Sequence, residues 1–105
     1  MSGAARSDVV GRWVPEGGPV RAFVELRGDG ELAGHDGCNR FGGQQWSLED
    51  GRVTTSGARF TTLMACPDVD TWLADAESFE WDDGHLRALA ADGSALGLLL
   101  ADPDR

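Results

Sequence analysis

The sequence predicts a β-rich α+β fold, a small single domain built on an antiparallel sheet with one short helix. Asp-Gly, the dipeptide that supplies the positive φ angles of tight hairpin turns, occurs five times, at 29–30, 36–37, 50–51, 83–84 and 92–93. The short segments between these turns tend to alternate apolar and polar residues, which is the period of a half-buried strand. A chain of 105 residues, 41% of them hydrophobic, has room for one core.

The first half of the chain is predicted to contribute strands joined by hairpins. Val24 and Leu26 share one face of the second strand, while Phe23 and Glu25 share the other. This strand is followed by a Gly-Asp-Gly turn and a short return strand, which is the pattern of a hairpin. The predicted strands of this half are 9–14, 22–27, 31–33, 44–48 and 52–54.

The second half predicts a meander and the only helix. Three strands, 78–82, 85–90 and 96–100, are separated by Asp-Gly turns. Segment 68–76 predicts a helix of about two turns, with an aspartate at its start to cap free amide groups. A helix this short needs packing against the sheet to be stable.

Acidic residues dominate the charge of the chain. The net charge is −9, and residues 53–105 hold three arginines against ten acids. Nucleic acids and anionic membrane surfaces repel such a chain. No apolar run has the roughly 20 residues that a membrane span requires. We therefore expect no nucleic-acid partner, no membrane insertion and a monomer.

No linker, repeat or low-complexity tract divides the chain, so we assign one domain over 8–101 with short tails at 1–7 and 102–105. The N-terminal residues lack the apolar core of a secretory signal. The expected location of the chain as given is the cytoplasm. The alternative is an exported or cell-envelope protein, if the sequence is a mature domain without its leader.

The two cysteines, Cys38 and Cys66, lie in turn-forming contexts 28 positions apart. Their spacing is compatible with a disulfide in an oxidising compartment and with two buried thiols in a reducing one. Together with His35 and His85 they could supply four zinc ligands, but the paired spacing of a zinc motif is missing. His35 is also the nearest base to Cys38, although nothing specifies a catalytic geometry. We therefore predict no catalytic residue, metal or cofactor, and no enzyme activity.

Asn39 and Arg40 form a polar pair between Cys38 and Phe41 in a glycine-bounded loop. No packing task for this pair is evident from the sequence. Asn39 can adopt a left-handed conformation or bond to nearby backbone, and Arg40 can pair with an acid. Two interpretations stay open, namely a lock that holds the loop and a contact with a ligand.

Two motifs follow each other along the chain, after Trp13 in the opening strand. They are Gly37-Cys38-Asn39-Arg40-Phe41-x-Gly43 and Thr62-x-Met64-Ala65-Cys66-Pro67. In this order they resemble the META domain family, which includes the HslJ-type heat-shock-linked envelope proteins of bacteria. The resemblance implies an antiparallel half-barrel or curved sheet with a short helix packed on it, and a disulfide between Cys38 and Cys66. The chain departs from the family in lacking an export signal and in its abbreviated helix after Cys66.

Members of this family are linked to stress tolerance, motility or virulence without an established enzymatic activity. The resemblance therefore implies a non-enzymatic module, stress- or envelope-related, that binds an unknown protein or an envelope component. The alternatives are a stability or stress factor without a dedicated ligand, and a thiol-redox sensor through the two cysteines. Binding would require an exposed apolar patch that contains Trp46, Trp72 or Trp81, and the sequence does not show which tryptophans are exposed. The candidate motif and contact residues are Gly37, Asn39, Arg40, Phe41, Gly43, Thr62 and Met64.

Overall fold

The structure, a computed structural model, describes residues 4–102. This part of the chain contains nine strands and two one-turn helices, joined by turns and loops. The helix α1 spans Arg6–Val9, and a 3-10 helix spans Trp72–Asp75. The strands are β1 (Gly11–Pro15), β2 (Phe23–Leu26), β3 (Glu31–His35), β4 (Arg40–Glu49), β5 (Arg52–Ser56), β6 (Phe60–Thr61), β7 (Ser78–Asp82), β8 (His85–Leu89) and β9 (Ala95–Ala101).

The sheet closes on itself as an antiparallel barrel. Around the ring the strands follow the order β1, β2, β3, β4, β5, β7, β8 and β9, and β9 pairs with β1 again. The ladder between β3 and β4 completes the closure. β6 continues the path of β5 and pairs with the first part of β4. The predicted β-rich antiparallel fold is confirmed, and full closure pairs the edges that an open sheet would leave free.

A short helix covers each end of the barrel. Val9 at the end of α1 is fully buried, and its carbonyl accepts a hydrogen bond from Trp13 Nε1 at 2.8 Å. At the opposite end, Leu73 of the 3-10 helix is buried, and the Trp72 ring lies over Gly97 of β9. A Cβ on Gly97 would come within 2.7 Å of that ring, so the glycine makes room for the helix. The β2–β3, β4–β5 and β7–β8 turns lie at the α1 end, which we call the turn end. The β8–β9 turn and the longer loops lie at the other, the loop end.

The core fills the inside of the barrel with alternate residues of its strands. Trp13 and Trp81 pack edge to face, with ring centroids 6.4 Å apart. Trp46 is buried as well, and its Nε1 donates to the Arg27 carbonyl at 2.9 Å. The other large core side chains are Val24, Leu26, Leu32, Phe41, Val53, Phe79, Leu86 and Leu99.

None of Trp46, Trp72 and Trp81 forms the exposed patch that binding would require of them. Trp46 lies in the core, and Trp72 and Trp81 pack against it. Inside a small barrel these large rings fill the volume that shorter side chains would leave empty. A docking surface must therefore be sought elsewhere on the molecule.

Local differences from the sequence prediction concern short elements. The helix predicted over 68–76 is limited to the single 3-10 turn Trp72–Asp75, and α1 was not predicted. β4 begins at Arg40 rather than at residue 44, because its first residues pair with β3 and β6. These pairings join distant segments and leave little local trace in the sequence.

The predicted tails, 1–7 and 102–105, fall partly outside the described residues, and the boundaries 8–101 stay a prediction. α1 (Arg6–Val9) crosses the predicted boundary between the first tail and the domain, and it packs on the turn end. None of the helices among the described residues has the length and hydropathy needed to cross a membrane.

Candidate functional site

The loop between β3 and β4 is shaped by a buried carboxylate. Asp36 is 4% exposed, and its Oδ1 accepts hydrogen bonds from the backbone N–H groups of Cys38 at 2.8 Å and Asn39 at 2.6 Å. Gly37 follows with a φ of 101°, which favours glycine. A Cβ at this position would lie 2.8 Å from Cβ of Pro19. The Asp-Gly pair therefore forms a tight turn against the neighbouring loop.

Cys38 and Cys66 form a disulfide, with their Cα atoms 5.9 Å apart. The pairing that the family resemblance implies is confirmed. The two histidines of the hypothetical zinc set lie apart, because His35 ends β3 at the loop end and His85 begins β8 at the turn end. Within residues 4–102 no group of three or more His, Cys, Asp or Glu side chains is placed to hold a metal ion.

The Asn39 side chain fastens the segment before Cys66 to the β3–β4 loop. Its Oδ1 accepts hydrogen bonds from the backbone N–H of Met64 at 2.6 Å and from Thr62 Oγ1 at 2.9 Å. Its Nδ2 donates to the Met64 carbonyl at 3.1 Å. The amide thus pairs with both backbone groups of Met64, as a neighbouring strand would. Of the two interpretations of Asn39, the contacts show a structural lock.

Thr62 adds a second connection to the same loop. Its Oγ1 accepts from the Arg40 backbone N–H at 3.0 Å, and its own N–H donates to the Arg40 carbonyl at 3.0 Å. Predicted residues from both motifs therefore meet in one hydrogen-bonded cluster. The Arg40 side chain takes no part in it and is exposed.

The fastened segment displays apolar side chains to solvent. Leu63 is 93% exposed, Met64 65% and Phe60 56%. We call these three residues the apolar ridge. Large apolar residues are common at protein surfaces, but here three lie within five positions of a segment held by a disulfide and side-chain hydrogen bonds. The ridge is therefore a fixed apolar surface.

A groove of about 490 Å³ lies beside the ridge on the outer face of β1 to β4. Its floor is low because Ala33 and Gly42 are partners on adjacent strands and carry little or no side chain. Gly43, with a φ of 86°, is the extra residue of a β-bulge in β4. The Phe60 ring covers this part of β4, 2.9 Å from where a Cβ of Gly42 would lie.

Charged side chains surround the groove. Arg27 bonds Glu25 at 3.1 Å and Glu31 at 3.4 Å, and the hydrogen bond with Glu25 raises the pKa of the Arg27 guanidinium. Arg12 lies over the Phe23 ring at 4.1 Å, the distance of a cation–π contact. Neither Arg12 nor Arg40 forms an ion pair within the described part of the chain.

The remaining predicted contacts have structural positions. Phe41 is 4% exposed and belongs to the core, so it is not available to a ligand in this fold. One residue that the sequence analysis missed is Arg59, which donates to the carbonyls of Ala74 and Ala76 and lies over the Phe41 ring at 5.1 Å. It ties the segment before β6 to the 3-10 helix. A single arginine outside any motif offers no sequence signal for this role.

Comparison of the sequence with known proteins identifies a family. No curated protein and no solved structure matches the sequence significantly. The model of one protein family, described as the META domain, matches residues 6–102, which is nearly the whole chain. The match includes both motifs, the disulfide and every strand of the barrel. The chain therefore belongs to the META domain family.

Proposed function

We propose that this META domain is a non-enzymatic module that binds another protein through the apolar ridge, Phe60, Leu63 and Met64. The family resemblance supports a role in stress response or at the cell envelope. A single observation carries the proposal: the chain uses a disulfide and the Asn39 amide to order a segment whose large side chains remain in solvent.

The energetic argument concerns preorganisation. Ordering a loop and its side chains is a large part of what association costs, so a segment already fixed binds more tightly than a mobile one. Leu63 and Met64 contribute little to the core at 93% and 65% exposure. Burying one such side chain in an interface is worth about 1.5 to 3 kcal/mol. Folding stability alone does not explain why these two large apolar side chains are held in solvent, whereas binding to a partner does.

The net charge of the chain indicates that the apolar ridge binds a different protein rather than a second copy of this chain. Two copies would each bring a net charge of −9, and like charges of this size oppose self-association. A partner without a large negative net charge meets no such repulsion. Size-exclusion chromatography with light scattering checks this, and a dimer that dissociates when Leu63 is replaced by serine would assign the ridge to self-association.

Site-specific photo-crosslinking in the source cells tests the proposal. A photoreactive amino acid replaces Leu63 in the full chain, and the matched control carries it at Ala91, an exposed residue of the β8–β9 turn. We expect a discrete heterologous adduct from position 63 that is absent from position 91 and lost on Met64→Ser substitution. Equal adducts at both positions, or none at position 63, would overturn the proposal.

The two other functions stay predictions with separate outcomes. A stress factor without a ligand predicts no adduct at position 63 and reduced stress survival when the gene is deleted. A thiol-redox sensor predicts that Cys38 and Cys66 cycle between disulfide and thiols at the potential of their compartment. Thiol counting by mass spectrometry before and after oxidative stress measures that cycle, and a constant count excludes it.

A further inference from the structure

The groove beside the ridge has an ordered arrangement across four strands. Register pairs place Arg12 of β1, Glu25 of β2, Ala33 of β3 and Gly42 of β4 side by side in one row. These residues alternate with the buried row that contains Trp13 and Val24, so they face outward. Ala33 and Gly42, the last two positions of the row, carry little or no side chain. The Phe60 ring lies over Gly42, so the open floor of the groove is at Ala33.

The next outward row places aromatic and basic groups along the same hollow. Phe23 of β2, His35 of β3 and Arg40 of β4 are register partners. Phe23 lies on one side of the floor at Ala33, and the Phe60 ring, which lies over Gly42, is on the other. An apolar side chain entering the hollow would contact aromatic rings on two sides.

Across residues 4–102, the acidic side chains of the groove form ion pairs, whereas two of its arginines do not. Both of its carboxylates, on Glu25 and Glu31, are paired with Arg27. Arg12 and Arg40 are left without an ion pair among the described residues, although the whole chain carries a net charge of −9. Two unpaired arginines on opposite sides of an apolar hollow are complementary to an occupant with two acidic groups around an apolar one.

The spacing of the two arginines limits the shape of that occupant. β1 and β4 are separated by three inter-strand steps of about 4.8 Å, which is about 14 Å across the strands. Arg40 lies in the next outward row, about 7 Å further along the strand direction, so the two backbones are about 16 Å apart. In an extended peptide, residues i and i+4 point to the same side and lie about 13 to 14 Å apart. Residue i+2 also points to that side and falls midway. The long arginine side chains can span the remaining difference of about 2 Å to the acids of an extended peptide.

We propose that the groove binds an extended peptide segment of the partner protein with the pattern acid-x-apolar-x-acid, lying across β1 to β4. The two acidic side chains pair with Arg12 and Arg40, and the apolar one enters the hollow over Ala33, between the Phe23 and Phe60 rings. This inference rests on the proposed protein-binding function and names the chemistry of the partner. The exposed apolar ridge, continuous with the groove at Phe60, contacts the partner outside this segment.

The test is an NMR titration at low salt, in which each of three probes is added to the full chain labelled with ¹⁵N. The first is a capped peptide, glutamate-serine-phenylalanine-serine-glutamate. The second has the same composition in the order serine-glutamate-phenylalanine-glutamate-serine, which points the acids away from the side of the phenylalanine. The third is succinate, a dicarboxylate without a peptide. We expect shifts at Ala33 and Gly42 with the first peptide, and at least about threefold weaker binding of the second.

Substitution of the arginines identifies the contacts. Arg12→Gln and Arg40→Gln should each weaken binding of the first peptide about threefold to tenfold, in the range of partly exposed charged contacts. The matched control is Arg52→Gln, an exposed arginine paired with Glu80 outside the groove, which should leave binding unchanged. Unchanged amide spectra away from the substitution verify that each variant folds.

Several outcomes overturn the inference. Equal binding of the two peptides, equal shifts with succinate, or equal losses in all three arginine variants would show that the groove only attracts anions. No binding of the first peptide would refute the pattern. The crosslink at position 63 is scored separately, so its persistence without peptide binding would leave the proposed function standing and reject the groove. If the first peptide binds but no crosslink forms at position 63, the ridge is rejected as a contact surface.

Discussion

Replacing Asn39 with alanine removes the lock between the two motifs, and the structure sets the size of the effect. Three hydrogen bonds are lost, two accepted by Oδ1 and one donated by Nδ2. Each contributes about 0.5 to 1.5 kcal/mol net, and water replaces part of the loss because Met64 is exposed. Taking the lower half of that range gives a decrease of about 2 kcal/mol in the free energy of unfolding. For 105 residues this lowers Tm by about 9 °C.

The assay is urea unfolding of the oxidised protein, combined with hydrogen exchange at the Met64 amide. Asn39→Asp is the matched control, since it keeps an acceptor for Thr62 and Met64 N–H but cannot donate to the Met64 carbonyl. Its loss of stability should fall between wild type and Asn39→Ala. Exchange at Met64 should accelerate in the alanine variant. A decrease below about 0.5 kcal/mol, with Met64 exchange unchanged, would refute the reasoning, because surface substitutions without specific contacts have effects of that size.

Two further predictions concern the same end of the barrel. Replacing Cys38 and Cys66 together with serine should cost about 3 to 4 kcal/mol in urea unfolding, since the disulfide closes a long loop in the unfolded chain; a cost below about 1 kcal/mol would contradict this loop-closure account. Gly37→Ala should destabilise the protein more than Gly51→Ala, because both have positive φ but only Gly37 would bring a Cβ within 2.8 Å of Pro19. Equal losses in thermal unfolding would show that the contact with Pro19 contributes nothing.

The turns of the barrel were predictable because their signals are local. An Asp-Gly pair carries its own preference for positive φ, and the structure places glycines with positive φ at the hairpin turns 50–51, 83–84 and 92–93. The strands around them alternate as expected, for example with Val24 and Leu26 buried and Phe23 and Glu25 on the outer face. Turn dipeptides and strand alternation can be recognised from adjacent residues, without knowing which distant segments pack against them.

The candidate site was predictable in part. The motifs identified Asn39, Thr62 and Met64, which meet in one cluster. Their roles depend on which backbone lies opposite, and that is a property of tertiary packing. Phe41 belongs to the core and Arg59 to a contact with the 3-10 helix, and neither role follows from its neighbours in sequence.

By itself, the sequence determined the fold class, the hairpin turns and, through two motifs, the family and its disulfide. The tertiary structure alone decided that the sheet closes into a barrel and that the tryptophans face inward. It also decided that a hollow opens at Ala33, beside the Phe60 ring, between Arg12 and Arg40. The physical reason is that turn preferences act between adjacent residues, whereas closure and groove shape depend on strand register between segments far apart in the chain.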